Sequence, residues 1–252
     1  MMLKAFHRIA AGALLSAALL AFGPGAALAS VDDGVAQLKA GKYAEAMKSF
    51  KAEAGKDNGE AMYYIGSMLG QGLGQKRAPL EATYWWKKGA FLGDEKCLLA
   101  ISEAYRTGFG VRVEPRQALV WDREGAKAGS IVALKNLGDY YAQGNGVERD
   151  PAEAAKWYVH AARAGLPEGE AALAGLLRAG EGVQKDPVAA LALLESAAHP
   201  ANGREAARGA AADARNLSHE LSEPDVARAK SMKTADIVEK LTKELGISEK
   251  LF

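Results

Sequence analysis

Through the middle of this chain, apolar and small residues follow a helical rather than an alternating order. In the stretch ALKNLGDYYAQGNGVERDPAEAAKWYVHAARAG, residues 133–165, Ala133, Leu137, Gly138 and Tyr141 fall at i, i+4, i+5 and i+8, one stripe of an amphipathic helix. Gly138 removes a side chain where a neighbouring helix is expected to approach. Gly144-Asn145-Gly146 then ends the helix, because glycine takes the left-handed cap that other residues resist. Asp150-Pro151 opens a second helix: the aspartate accepts from exposed backbone N–H groups, and proline suits the first helical position. Ala154, Trp157, Tyr158, Ala161 and Ala162 form its apolar side, and Gly165 closes it.

This helix pair recurs. Ala61, Cys97, Ala133 and Gly169 are each 36 positions apart, and so are Gly72, Gly108, Gly144 and Gly180. The columns Ala82, Ala118, Ala154, Ala190 and Trp85, Trp121, Trp157, Leu193 keep the same register. Helix pairs with a fixed period predict an all-α fold, an α-solenoid of antiparallel helix pairs with a 36-residue repeat. Four copies are expected at about 61–93, 97–129, 133–165 and 169–201. The first has Ala78 at the capping Asp position and Gln75 at the Val position. The second has Ser102 in the Gly138 column and Glu114 at the cap, and the fourth replaces its aromatics with Leu177, Leu193 and Leu194.

The pattern is most complete in residues 133–165, which resemble the Sel-one-like repeat family, relatives of the tetratricopeptide repeat with a Gly-x-Gly-Val-x-x-Asp linker between their helices. Upstream, residues 30–58 read as a first tetratricopeptide-like helix pair, with Ala46 in phase with Ala82. Downstream, residues 202–252 read as C-terminal capping helices and a tail. There, 203–221 is Ala-rich and helical, and a further helix runs from Ser222 to the stop at Gly246.

The N-terminus changes the compartment. Lys4 and Arg8 precede an apolar run, Ile9–Phe22, then Gly23-Pro24-Gly25 and the small-x-small site Ala27-Leu28-Ala29, so residues 1–29 are expected to be a signal peptide. Cleavage before Ser30 leaves 223 residues and moves the formal net charge from +1 to −1. Ser30 and not Cys stands directly after the site, so a lipid anchor is not expected. A soluble periplasmic protein without a transmembrane anchor is the expectation. Near-neutral charge argues against nucleic acid as a partner. Cys97 is the single cysteine, so no internal disulfide forms.

Catalytic signals are scarce. H-E-x-x-H, G-x-S-x-G and C-x-x-C are absent, and His160, His199 and His219 share no ligand spacing. His160 reads as a solvated helix position and Cys97 as an inert core thiol. No catalytic, cofactor-binding or metal site is expected, and the chain is read as a non-enzyme.

A surface remains. The resemblance implies that the first helix of each pair lines the inner curve, where Tyr63, Ser67 and Gln71 are followed one repeat later by Leu99, Glu103 and Thr107, and then by Lys135, Asp139 and Gln143. Arg106 and Arg178 lie one turn along. This stripe is polar, mixed in charge and different in every copy, which suits recognition of one irregular partner. The resemblance implies a protein partner: an envelope sensor under negative regulation, a secreted effector neutralised by an immunity protein, or assembly machinery. Two other readings stand beside it. Cysteine-rich relatives are associated with β-lactam binding or hydrolysis, but their disulfide pairs and a Ser-x-x-Lys motif are missing here. A polysaccharide-binding module would use inner-face aromatics such as Tyr63, Tyr64 and Tyr140.

Overall fold

Each repeat helix starts at a short polar cap, at a proline in its first turn, or at both, and left-handed glycine ends the first helix of each of the four repeats. A computed structural model describes residues 30–199 and 204–248. The expected signal peptide, residues 200–203 where the fourth copy meets the C-terminal segment, and residues 249–252 of the tail lie outside the described residues. Among the described residues the secondary structure is wholly helical. It comprises α1 (Val31–Lys39), α2 (Tyr43–Ala54), α3 (Gly59–Gln71), α4 (Pro79–Phe91), α5 (Glu95–Thr107), α6 (Pro115–Lys127), α7 (Ile131–Gln143), α8 (Pro151–Arg163), α9 (Pro167–Ala179), α10 (Pro187–Ala197), α11 (Arg204–Glu220), α12 (Glu223–Ser231) and α13 (Thr234–Glu244). From α1 to α11 each helix packs on the next in sequence, and α12 and α13 return onto α10 and α8, so the chain is an all-α solenoid.

The first helices α3, α5, α7 and α9 are each 13 residues long and start 36 residues apart. Asn58, Asp94 and Ser130 cap three of them, their side chains accepting from Ala61, Cys97 and Ala133 N–H. Asp150 and Asp186 cap α8 and α10 in the same way, whereas Ala78 and Glu114 make no side-chain cap on α4 and α6.

The paired linker glycines do two different jobs. Gly144 closes α7 at φ 71°, a backbone that side chains resist. Gly146 instead lies against the start of the preceding repeat's second helix: a Cβ there would stand 2.9 Å from the Arg116 nitrogen and Pro115 carbonyl carbon. Gly110 and Gly182 meet Pro79 and Pro151 in the same manner, so this column sets how one repeat stacks on the next.

Between the helices of each pair, one position decides how the space is filled. A Cβ on Gly66 would overlap the Trp86 ring, and one on Gly138 the Tyr158 ring. The small residue expected to admit a neighbouring helix therefore admits an aromatic ring lying 20 residues on. In the second repeat the same pair reads Ser102 and Asp122, and the serine hydroxyl donates to the carboxylate at 2.6 Å.

At the C-terminus, the single helix expected from Ser222 to Gly246 is broken. Met232 is extended (φ −77°, ψ 144°) and α13 restarts at Thr234. The Ser231 hydroxyl donates back to the Arg228 carbonyl at 2.7 Å, competing with continuation of the helix. The break lets α13 fold back over α8 and α10, where Ile237, Val238 and Leu241 join a core cluster that also holds Tyr158, Val159 and Leu191.

Candidate functional site

A groove on the first helices gathers five of the expected stripe residues. Tyr63, Ser67 and Gln71 of α3 face Glu103 and Thr107 of α5 across a cavity of about 480 Å³. Spacing of four residues along each helix places the side chains on one face, and the 36-residue period brings the two faces together. Trp86 of α4 and Phe109, after α5, supply the aromatic floor, with ring centroids 5.6 Å apart. The floor is held from below: Trp86 Nε1 donates to the Tyr63 carbonyl at 3.2 Å, and the Arg77 guanidinium lies 5.2 Å from the Phe109 ring centre while Nε donates to the Gly70 carbonyl at 2.8 Å.

Around this floor the rim is polar. Ser67 donates to the Tyr63 carbonyl and Thr107 to the Glu103 carbonyl, so both hydroxyls keep lone pairs for an incoming donor. Glu103 pairs with Arg106 on the same helix, and Gln71 is exposed. Lys96 lies 5.9 Å from the Tyr63 ring centre and pairs with Glu60 at 2.6 Å. The cavity thus offers an apolar aromatic floor and hydrogen-bonding groups of both charges at its edge.

Other stripe residues are placed differently. Leu99 is half-buried against a core cluster. On α7, Lys135 pairs with Asp139 at 2.6 Å, and the second carboxylate oxygen of Asp139 accepts from the Tyr158 hydroxyl at 2.8 Å. Asp139 is therefore half-buried and holds the ring that lies over Gly138. Gln143 is exposed at the end of α7. Arg178 is exposed but pairs with Glu220 of α11 at 2.5 Å, which ties it to the C-terminal helices.

The strongest polar feature of the interior went unseen in the repeat columns. Asp122 is wholly buried and accepts from Ser102 Oγ at 2.6 Å, Tyr140 Oη at 3.0 Å and Asn136 Nδ2 at 3.1 Å. Burial raises its pKa from the ordinary 3.8, opposed by those three hydrogen bonds and by Arg106. Its signal in the sequence is a double departure: Ser102 leaves the Gly column in the same repeat where Asp122 leaves the large-residue column of Trp86, Tyr158 and Leu194.

Cys97 is buried, with Sγ 3.4 Å from the Gly59 carbonyl, and burial raises its thiol pKa. His160 departs from expectation, for it is half-buried beside Trp157 rather than solvated. Burial, with help from Arg163, lowers its pKa from 6.5 to about 4. Among the described residues there is no cluster of three or more His, Cys, Asp or Glu side chains placed to hold a metal, and no helix is long and apolar enough to cross a membrane.

The Sel1 repeat model matches residues 59–94, 96–130, 131–166 and 167–199. The chain is similar in fold to the crystal structure of a Sel1 repeat protein from Oxalobacter formigenes, at 24% identity and a TM-score of 0.64, over 88% of this chain and 94% of that one. A weaker likeness, 21% identity and a TM-score of 0.48 over 87% of this chain and 57% of the other, is to a protective antigen of uropathogenic Escherichia coli that displays an SLR fold. No curated protein matches. With four repeat matches spanning more than half its length, the chain belongs to the Sel1 repeat family.

Proposed function

We propose that this protein is a non-catalytic binding protein that grips one partner protein through the inner groove of its repeats. The observation that carries the reading is the cavity between α3 and α5, where Tyr63, Ser67, Gln71, Glu103 and Thr107 converge on the Trp86–Phe109 floor. Aromatic anchors within a polar rim are the anatomy of a protein interface. Lys135 and Gln143 extend the rim along α7, Arg106 sets the orientation of Glu103, and Asp139 acts through Tyr158. Arg178 marks the far end, where the fourth repeat presents only Ala171, Gly175 and Ala179 at the stripe positions.

The leader read in residues 1–29 supports a periplasmic location for this binder, with cleavage before Ser30. A single repeat array bearing one groove fits a dedicated inhibitor: an immunity protein against a secreted effector, or a negative regulator of an envelope sensor. Affinity capture from an envelope extract tests the reading. The protein should retain one dominant partner, and the triple variant Tyr63→Ala, Gln71→Ala, Glu103→Lys should lose it while melting close to the parent. A partner held equally by the triple variant would overturn the assignment of the groove.

A further inference from the structure

The outer face of the solenoid carries a second surface. On α8 this face is covered by α13, which runs across it. Val159 is fully buried in the cluster containing Ile237, Val238 and Leu241, and Arg163 bonds Thr242 while Lys240 reaches Asp186 at 3.4 Å. One and two repeats earlier, the Val159 column holds Arg123 and Lys87, and both are exposed. The seat that α13 takes on α8 therefore continues, uncovered, over α6 and α4.

That uncovered face is apolar where a helix would rest. Leu80 is 72% exposed, Tyr84 64%, Phe91 71% and Val120 49%. In α4 the first three fall at i, i+4 and i+11, one stripe along the helix. Between α4 and α6 lies a cavity of about 640 Å³ lined by Phe91, Leu98, Val120 and Trp121, with Phe91 edge-on to the Trp121 ring at 5.4 Å. Phe91 stands in the register of Arg163, the residue that meets α13 on the covered repeat. Exposed apolar surface of this extent marks an interaction site.

Charge selects the occupant. The outward positions of α4 and α6 carry five cations, Lys87, Lys88, Arg116, Arg123 and Lys127, against two acids, Glu81 and Glu124, a net positive face. Two copies meeting through this face would oppose cation to cation, whereas an acidic partner would be drawn to it. We propose that the α4–α6 outer face docks an acidic amphipathic helix of a partner protein, seated as α13 is seated on α8. The site is on the opposite side of the helix pairs from the inner groove and does not depend on it.

The test uses the purified protein and a labelled peptide copying residues 232–247 with Lys240 and Lys243 replaced by glutamate, which keeps the apolar register of α13 and makes its outer face acidic. Fluorescence anisotropy should show saturable binding that weakens with salt. Binding should fall at least about tenfold on Phe91→Ser or on the charge reversal Lys87→Glu, Lys88→Glu. Both changes are at exposed positions, and their melting curves should match the parent. The groove variant Tyr63→Ala, Gln71→Ala, Glu103→Lys should bind the peptide normally, which separates this proposal from the inner-groove reading. Three results would overturn it: no saturable binding, binding unaffected by either outer-face variant, or concentration-dependent self-association abolished by Phe91→Ser, which would give the face to a second copy.

Discussion

The Ser102 hydroxyl lies 2.6 Å from the buried Asp122 carboxylate, in the place where neighbouring repeats set a glycine under an aromatic ring. The second repeat has thus exchanged a steric fit for a polar one. Asp122→Ala should strip the carboxylate acceptor from Tyr140 and Asn136 and leave the Ser102 hydroxyl only the Ala118 carbonyl at 3.2 Å. Each buried polar group left unsatisfied costs about 1–3 kcal/mol, so the variant should be among the least stable single substitutions, measurable by urea unfolding. Asp122→Tyr paired with Ser102→Gly, which recreates the third repeat's arrangement, should recover part of the loss.

Asp122 also ties stability to pH. Burial raises its folded pKa above the ordinary 3.8, so the native state holds the proton more tightly than the unfolded chain does. Its contribution is fully present below pH 3.8 and is lost as pH rises through the folded value. Unfolding free energies of Asp122→Asn measured across this range should lack that decline, and an identical pH profile for variant and parent would contradict the assignment.

His160 works in the opposite direction. Its folded pKa of about 4 lies below 6.5, so the unfolded chain binds the proton more readily and stability falls as pH drops from about 6.5 toward 4. His160→Gln should flatten this part of the profile. Because the ring is half-buried with its centre 6.2 Å from that of Trp157, its protonation in the folded parent should also shift indole fluorescence around pH 4, a shift the variant should lack.

Gly138→Val should force the Tyr158 ring off its seat and away from Asp139. Overpacking of this kind costs about 1–3 kcal/mol. The fourth repeat carries Ala174 and Leu194 in these columns. The double variant Gly138→Ala, Tyr158→Leu should therefore be more stable than Gly138→Val, and thermal melts of the set decide it.

Much of this architecture was legible because a repeat writes each contact several times. The 36-residue period specified the helix starts, and Asp150-Pro151 and the left-handed Gly144 followed from local chemistry alone. Tyr63, Ser67, Gln71, Glu103 and Thr107 were legible as one stripe, since helical spacing and the period suffice to align them. The aromatic floor was not, because Trp86 and Phe109 reach the cavity from a second helix and a loop whose packing no spacing reveals. Reading columns separately hid the Ser102–Asp122 pair, which is visible only when two columns are compared within one repeat. The interruption at Met232 and the seat of α13 on α8 depend on long-range packing that breaks the register, so periodicity carried no trace of them.

Export should leave Ser30 as the first residue. Ser30 already begins α1, where its hydroxyl accepts from Asp33 N–H at 3.1 Å and its own N–H donates to the Asp33 carboxylate at 2.9 Å. Cleavage there would place the new ammonium beside that carboxylate. Intact-mass measurement of the periplasmic protein should give the chain from Ser30, and a mass retaining residues 1–29 would contradict the localisation.

Hydrogen exchange of the captured complex tests the binding account most directly. Amide protection on partner binding should concentrate in residues 63–71 and 99–107, the two walls of the groove, and should leave the segment around His160 unchanged. Protection centred on His160 or Cys97, with residues 63–71 and 99–107 exchanging as in the free protein, would contradict the claim that this array binds its partner through the inner groove.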